Sequence, residues 1–431
     1  MNDMKMMVFG LGFAALTASA VPSAAVVRCA VVDNHVEVDY VLSGEDAIVT
    51  MAVATDAAGT AFLDERKVTA LEGAVNRQVK VSASESDTRH IRWDVLRDGA
   101  TLNAGASVVL TAWTLDAPPD ILTFSPLHAD SVRFYTSTNA LPGGLMDRRY
   151  RCDEIVMRKI PAKGVTWKMG TASGNYVKEN EKPQHSITLT NDYYMGFFEV
   201  TAAQYYAITG VNVASAAAKG MTYDVKDHAI VPASGVSYDA IRGSKADGID
   251  WPTTKSTVSS GSFLGLLRKK TGLSGLDIPT EAEWEYACRA GCQYQLYDNN
   301  WLERAKVPAL GWCYENAPKD SGGYNFPVEC GRLKPNWWGL YDMLGNASEW
   351  CKDWADSDAN KNYTPPEQNP QDGPVSVDTN TRAVRGAFAA SSWQDMAIAR
   401  RMADTPDTAT NAGRGTNRAH GFRLVCPAFF R

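Results

Sequence analysis

The run Asp116-Ala117-Pro118-Pro119 limits the folds open to this chain more than any other stretch. Adjacent prolines have fixed φ and no backbone N–H, so neither a strand ladder nor a helix continues through them. N-terminal to this break the pattern is short and has period two. Residues 36–40 (VEVDY) alternate apolar and polar side chains, 48–54 form an apolar run, and 90–96 and 108–115 continue the theme. Ser43-Gly44, Ala58-Gly59 and Asp98-Gly99 punctuate these segments, and the last reads as a hairpin turn. The spacing implies an all-β sandwich, immunoglobulin-like or fibronectin-like, over 26–117, with Trp93 and Trp113 in its core. Residues 118–153 read as an irregular connector with a short strand near 132–135.

Beyond the connector the pattern changes. After a strand at 154–160, residues 200–209 (VTAAQYYAIT) predict a helix with Thr201 as N-cap and Gly210 as the residue that stops it. Thr280 and Glu283 fit a capping box that opens a helix running to Gly291, with Ala282, Tyr286 and Arg289 on one side and Trp284 and Cys288 on another. A shorter helix at 263–270 ends in Arg268-Lys269-Lys270, expected to be a solvated last turn favoured by the helix dipole. The remainder is dense in Gly, Trp and Tyr, so tryptophan packing and polar contacts to the backbone must supply much of its order.

At 431 residues the chain exceeds what one core usually serves, and two domains are expected. A net charge of -6 removes the electrostatic reason to approach nucleic acid or an anionic membrane surface. Lys5, the apolar stretch 6–16 and the small residues Ala18 and Ala20 follow the order of a secretory signal peptide, assigned to 1–25 with cleavage after Ala20 or Ala25. The apolar stretch is shorter than the roughly 20 residues a membrane-spanning helix needs. Cys29 lacks the small-residue context of a lipidated cysteine, so a secreted or periplasmic protein with no membrane span after cleavage is expected. Export would permit disulfides among Cys292, Cys313 and Cys330. Cys288 and Cys292 have no second close Cys or His pair to complete a zinc site.

Seven segments in the second part carry a resemblance: IPAKGVTWKMG (160–170), YYMGFFEVTAAQY (193–205), PASGVSYDAI (232–241), LDIPTEAEWEYACRAG (276–291), KPNWWGLYDMLGNASEWCKDW (334–354), RAVRGAFAASSW (382–393) and HGFRLVCP (420–427). In this order they resemble the landmarks of the formylglycine-generating enzyme, or sulfatase-modifying factor, domain family over 154–427. The resemblance implies an α+β fold of the C-type-lectin-like kind. It also implies an oxidase that uses oxygen and a copper ion held by two cysteines to turn a cysteine of a client sulfatase into formylglycine. In the family the cysteines follow an RGGS-like segment, with a histidine beside the first. Here Ser391 and Met396 stand at the two cysteine positions, Ser392 at the histidine and Phe388 at the serine. A hydroxyl is neither soft nor ionised near pH 7, and one thioether does not replace two thiolates, so copper chemistry is not expected. Cys426 reads as a buried apolar residue. Relatives that bind iron do so through clustered histidines, whereas those here (35, 90, 128, 185, 228 and 420) are scattered.

The resemblance further implies a structural calcium ion held by Asp342, Gly345, Ala347 and Glu349, with oxygen-bearing side chains at both ends of the segment as calcium requires. A second family calcium site near Asn316 is not expected, because 318–324 lacks its acidic loop. Two functions follow. One is an exported, non-catalytic module binding an extracytoplasmic peptide, protein or glycan in the family's cleft. The other is an enzyme, either a formylglycine-generating oxidase acting on a sulfatase client or one with new chemistry on Ser391, Ser392, Asp395 and Arg400. The latter requires a base beside Ser391, for which His185, His228 and His420 are available.

Overall fold

The computed structural model describes residues 21–82, 87–128, 130–213, 230–319, 323, 325–355, 380–407 and 420–430. Lys5, Ala18 and Ala20, expected to belong to a signal peptide, His228, and residues 320–322 and 324 lie outside the described residues. The chain divides into two compact units: 1–123 with 132–147 and 428–431, and 124–131 with 148–427. The stretch expected as an irregular connector is thus shared between the units, and the short strand expected near 132–135 is present at Arg133–Tyr135. Among the described residues no helix is long and apolar enough to cross a membrane.

The first unit contains strands β1 (Ser23–Val32), β2 (His35–Ser43), β3 (Ala47–Ala54), β4 (Leu71–Gly73), β5 (Arg77–Val79), β6 (Arg89–Asp94), β7 (Ser107–Thr114), β8 (Ile121–Phe124) and β9 (Arg133–Tyr135). They form antiparallel sheets in the orders β1-β2-β6-β4 and β5-β3-β7, and β8 pairs with β9. The alternation read in 36–40 is the burial alternation of β2, whose Val36, Val38 and Tyr40 join Val49, Met51 and Val53 of β3 and Ile91 and Trp93 of β6 in one core. Because β1 already pairs with β2 at Ala24 and Ala25, only cleavage after Ala20 would leave that strand whole.

Asp98-Gly99 is a turn but not a hairpin, since the strands it separates, β6 and β7, lie in different sheets. The Asp98 carboxylate accepts hydrogen bonds from the Thr69 and Ala70 amides (2.7 and 2.8 Å) and from the buried Trp93 indole (2.7 Å). Its residue type therefore serves a packing brace rather than strand pairing. Trp113 is only partly buried, and its indole donates to Thr50 Oγ1 at 2.8 Å.

The second unit contains β10 (Ile155–Ile160), β11 (Thr166–Met169), β12 (His185–Thr188), β13 (Tyr193–Gly196), β14 (Ser348–Ala355), β15 (Thr381–Arg385), β16 (Met402–Asp404), β17 (His420–Gly421) and β18 (Val425–Pro427). Strand β13 lies antiparallel between β10 and β18, β11 pairs with β12, and β16-β15-β14-β17 is a mixed sheet in which β14 and β17 are parallel. Among the described residues its α-helices are α1 (Ala202–Thr209), α2 (Tyr238–Arg242), α3 (Phe263–Thr271) and α4 (Glu281–Arg289). Both predicted starts are present: Thr201 caps α1 with Gln204 bonding back, and Thr280 caps α4 with Glu283.

Helix α4 is buried at all nine positions. The expected solvated turn holds for the exposed Lys269 and Lys270 but not for Arg268. Its guanidinium donates to the carbonyls of Leu276 (2.7 Å) and Ser256 (2.6 Å), tying the end of α3 to neighbouring chain. Arginines play this part throughout the unit. Arg242 forks onto Asp277, Arg423 onto Glu349, and Arg382 donates to the Trp251 and Lys352 carbonyls, so irregular backbone is satisfied where ladders are short. All eight cysteines are free, including the three expected to form disulfides. Cys292 donates to the Leu296 carbonyl and Cys330 to Glu199, so the two thiols face different groups.

Candidate functional site

Strand β15 ends at Arg385, wholly buried, paired with Glu281 (3.1 Å) and Glu285, and donating to the Arg400 carbonyl (2.9 Å). That anchor aims the following loop. Gly386, at φ +90°, lies so close to Trp284 that a Cβ would sit 3.2 Å from the indole. The loop then closes on itself: the Phe388 amide donates to Ser391 Oγ (3.1 Å), the Ser391 amide to the Phe388 carbonyl (2.8 Å), and the Tyr314 amide to the Ser391 carbonyl (2.8 Å). Ser391 is buried, and neither His185 nor His420 is its hydrogen-bond partner. Ser392 caps the turn Trp393–Asp395 by accepting from the Gln394 amide at 3.3 Å. Met396 is fully buried, its methyl against Gly311 and Gly345. Two hydroxyls spent on turns and one core thioether therefore occupy the loop. Cys426, in β18, is held as a thiol by burial, which pushes its pKa up to about 12.

Beside this loop lies an open cavity of about 520 Å³, lined by Gly174, Asn175, Tyr176, Leu302, Glu303, Arg304 and Trp393. Tyr176 and Trp393 meet edge to face at 5.0 Å. Behind the lining, buried Gln295 holds the 174–175 segment, accepting from the Asn175 amide (2.9 Å) and donating to its carbonyl (2.8 Å), and it leaves no room for a Cβ at Gly174. Asp395 pairs with Lys178 (2.6 Å) and Arg400 (3.3 Å), holding the Trp393 turn in place. Tyr294 and Trp301, also edge to face at 4.9 Å, are exposed nearby in sequence. Aromatic faces with Asn175, Glu303 and Arg304 can stack on and hydrogen-bond to a polar ligand. Sequence reading missed this site; the pair Tyr176 and Trp393 is 217 residues apart, and only Trp393's place beside Ser392 pointed to it.

A second constellation escaped the sequence. Ser348 Oγ lies 2.7 Å from His420 Nδ1, and His420 Nε2 lies 3.0 Å from Asp404 Oδ2. The order resembles a nucleophile–base–acid relay, but Ser348 is wholly buried and the imidazole packs on Trp350 at 4.8 Å. It braces β14, β16 and β17 rather than meeting a substrate.

The segment expected to hold calcium is also interior. Asp342 Oδ2 accepts from the Gly331 amide (2.6 Å), while Oδ1 is buried with no hydrogen-bond partner. Ala347 donates its amide to Glu199 (2.9 Å), and Gly345 donates to the Gly386 carbonyl (2.6 Å). Glu349 has both oxygens on the Arg423 guanidinium (2.6 to 2.9 Å) and one on the Trp284 indole (2.7 Å). A calcium ion held by Glu349 would stand beside a guanidinium already neutralising that carboxylate, so the four-residue set does not fit calcium as its side chains stand. Burial, together with the neighbouring Asp342 and Glu349, pushes the Glu199 carboxyl well above the usual range.

Comparison with known proteins supplies the family. The model for the sulfatase-modifying factor enzyme 1-like domain matches residues 150–428. The bovine formylglycine-generating enzyme is 38% identical over 85 residues, which are 19% of this chain and 23% of that enzyme. The enzyme of Thermomonospora curvata is 32% identical over 143 residues, 31% of this chain and 46% of its own length. The chain therefore spans less than half of either relative. Among solved structures, PvdO from Pseudomonas aeruginosa is similar with a TM-score of 0.44 and 22% identity, covering 63% of this chain and 94% of PvdO.

Proposed function

This chain belongs to the sulfatase-modifying factor enzyme 1-like family, and we propose that it is an exported, non-catalytic member that binds peptide or glycan in the cavity beside Tyr176 and Trp393. One observation carries the reading: at the positions of the family's copper cysteines, Ser391 closes its own turn and Met396 is sealed in the core. Neither offers a soft anionic ligand, and among the described residues Ser391 has no hydrogen-bonded histidine to activate it. What remains of the cleft is suited to recognition, with an exposed Tyr176, a Trp393 held by the Asp395 turn, and charged groups at Glu303 and Arg304. In this reading the N-terminal sheets form an immunoglobulin-like or fibronectin-like accessory module, as extracellular recognition proteins often carry. The module and the cleft would meet their ligand in the periplasm or the medium.

The decisive experiment incubates the purified chain aerobically with Cu(I) and a cysteine-containing sulfatase-motif peptide, beside an active family enzyme as control. Mass spectrometry should find the thiol unconverted. Formation of the aldehyde would overturn the reading and reinstate an oxidase acting on a sulfatase client. A peptide and glycan array, probed with the same chain and with Trp393→Ala, then identifies the ligand class, and binding indifferent to Trp393 would remove the cavity from the account.

A further inference from the structure

The charges around Glu199 do not balance. Glu199, Asp342 and Glu349 are all buried, and Arg423, the cation that reaches them by hydrogen bond, spends its fork on Glu349. Arg423 acts on the other two carboxylates, and Arg151 on Asp342, only at longer range, and among the described residues neither Glu199 nor Asp342 forms an ion pair. Buried carboxylates without a partner cation are costly, and proteins resolve the cost by protonation or by a metal ion. Beside these two lies the Cys330 thiol, donating to Glu199 Oε2 at 3.4 Å. One ligand atom from each of Glu199, Cys330 and Asp342 lies within 4.8 Å of the others. The orphaned Oδ1 of Asp342 is the independent sign that a partner belongs here, since a buried carboxylate oxygen without a donor is rare.

We propose that Glu199, Cys330 and Asp342 bind a zinc-class divalent cation inside the second unit, in place of the calcium site expected at Asp342, Gly345, Ala347 and Glu349. A thiolate with two carboxylates suits zinc, whereas calcium takes six to eight oxygens and does not select sulfur. Tetrahedral zinc with bonds of about 2.0–2.3 Å sets its ligands roughly 3.5 Å apart, close to the 3.4 Å between Cys330 and Glu199. Since all separations are within 4.8 Å, no pair has to close by more than about an ångström, and a water or an oxygen of the surrounding loop completes the fourth position. Binding replaces the Cys330 proton with the metal and releases it to solvent. The backbone is arranged for this: Asn346 and Ala347 hold Glu199 through a side-chain amide (2.7 Å) and a main-chain amide (2.9 Å), and Gly331 holds Asp342. Because every ligand is buried, the ion enters during folding and leaves slowly.

The test uses the full mature chain purified without chelator. Elemental analysis should find zinc near one per chain, and the protein refolded with Co(II) should show a sulfur-to-cobalt charge-transfer band in the near ultraviolet. Cys330→Ser should abolish the band and weaken zinc binding by more than the roughly 10–100-fold that loss of an outer-shell partner costs. Cys351→Ser, which removes a buried thiol outside the cluster, should keep both. Circular dichroism of each variant separates loss of the site from loss of the fold, and if Cys330→Ser does not fold, the cobalt band of the parent chain decides. Stoichiometric calcium without the band, or a metal-free protein whose refolding with Co(II) yields no band, would overturn the proposal.

Discussion

In the first unit the most deeply buried side chains include Val38, Tyr40, Val49, Ile91 and Trp93; in the second they include Arg242, Arg385 and Arg423, facing Asp277, Glu285 and Glu349. The first unit is ordered by apolar alternation on paired strands. The second has short strands and long irregular connections, and spends buried guanidinium groups to satisfy carbonyls that no ladder reaches. Such pairs add little net stability when intact but are expensive to break, because the surviving charge stays in the interior. The comparison therefore predicts two kinds of fragility, one set by buried area and one by charge.

The largest effect is expected at Arg423. Replacing it by Ala leaves Glu349 buried with only the Trp284 indole, at a cost of about 3–5 kcal/mol. Urea unfolding measures this, and a loss under about 1 kcal/mol would show that the pair is dispensable. The acid limb comes next. Although burial opposes ionisation, Arg289 and Arg385, with the Gly170 amide, hold the Glu285 carboxyl down to about 2. A depressed folded value contributes stability that is complete above the unfolded carboxylate range near 4.5 and is lost as pH falls through about 2. Burial first, and Glu285 to a lesser degree, raise the Glu181 carboxyl, so its own contribution runs the other way. Glu285→Gln should flatten the acid decline between those limits; an unchanged profile would assign the decline to other carboxylates. In the first unit Trp93→Phe keeps most of the buried area and removes one donor to Asp98, which retains the Thr69 and Ala70 amides, so a loss of about 1–2 kcal/mol is expected. A larger loss would mean that the brace matters more than the packing.

The same contrast explains what could be read from the sequence. Strands β2 and β6 were legible because alternation is local, β3 and β7 because their apolar runs are local, and α1 and α4 because Thr201–Gln204 and Thr280–Glu283 carry their caps within four residues. The family landmarks placed the second unit and the loop at 385–396. What stayed hidden depends on long-range juxtaposition: Ser348 with His420 and Asp404, Glu199 with Cys330 and Asp342, Tyr176 with Trp393. The solvated reading of Arg268 failed for a related reason, since nothing in a helix end shows which carbonyls fold back over it. Asp98-Gly99 was legible as a turn but not as a brace, because its carboxylate partners at Thr69 and Ala70 lie in another segment.

The smallest effect is expected at Ser391, where it is the most informative. Its hydroxyl accepts the Phe388 amide, its amide donates to the Phe388 carbonyl and its carbonyl accepts the Tyr314 amide, so Ser391→Ala removes one of three restraints on the turn and costs about 1 kcal/mol. The Trp393 side of the cavity is held separately, by the Asp395 pairs to Lys178 and Arg400 and by Glu315 accepting the Trp393 amide at 3.2 Å. Ligand affinity, measured by calorimetry on whatever the array selects, should therefore stay within about threefold of the parent, since that side of the cleft is undisturbed. A nucleophilic serine behaves differently: alanine there abolishes turnover while leaving the fold and ground-state binding in place. A hydrolytic or transfer activity lost selectively in Ser391→Ala would place chemistry in the loop where the hydrogen bonds show only a closed turn.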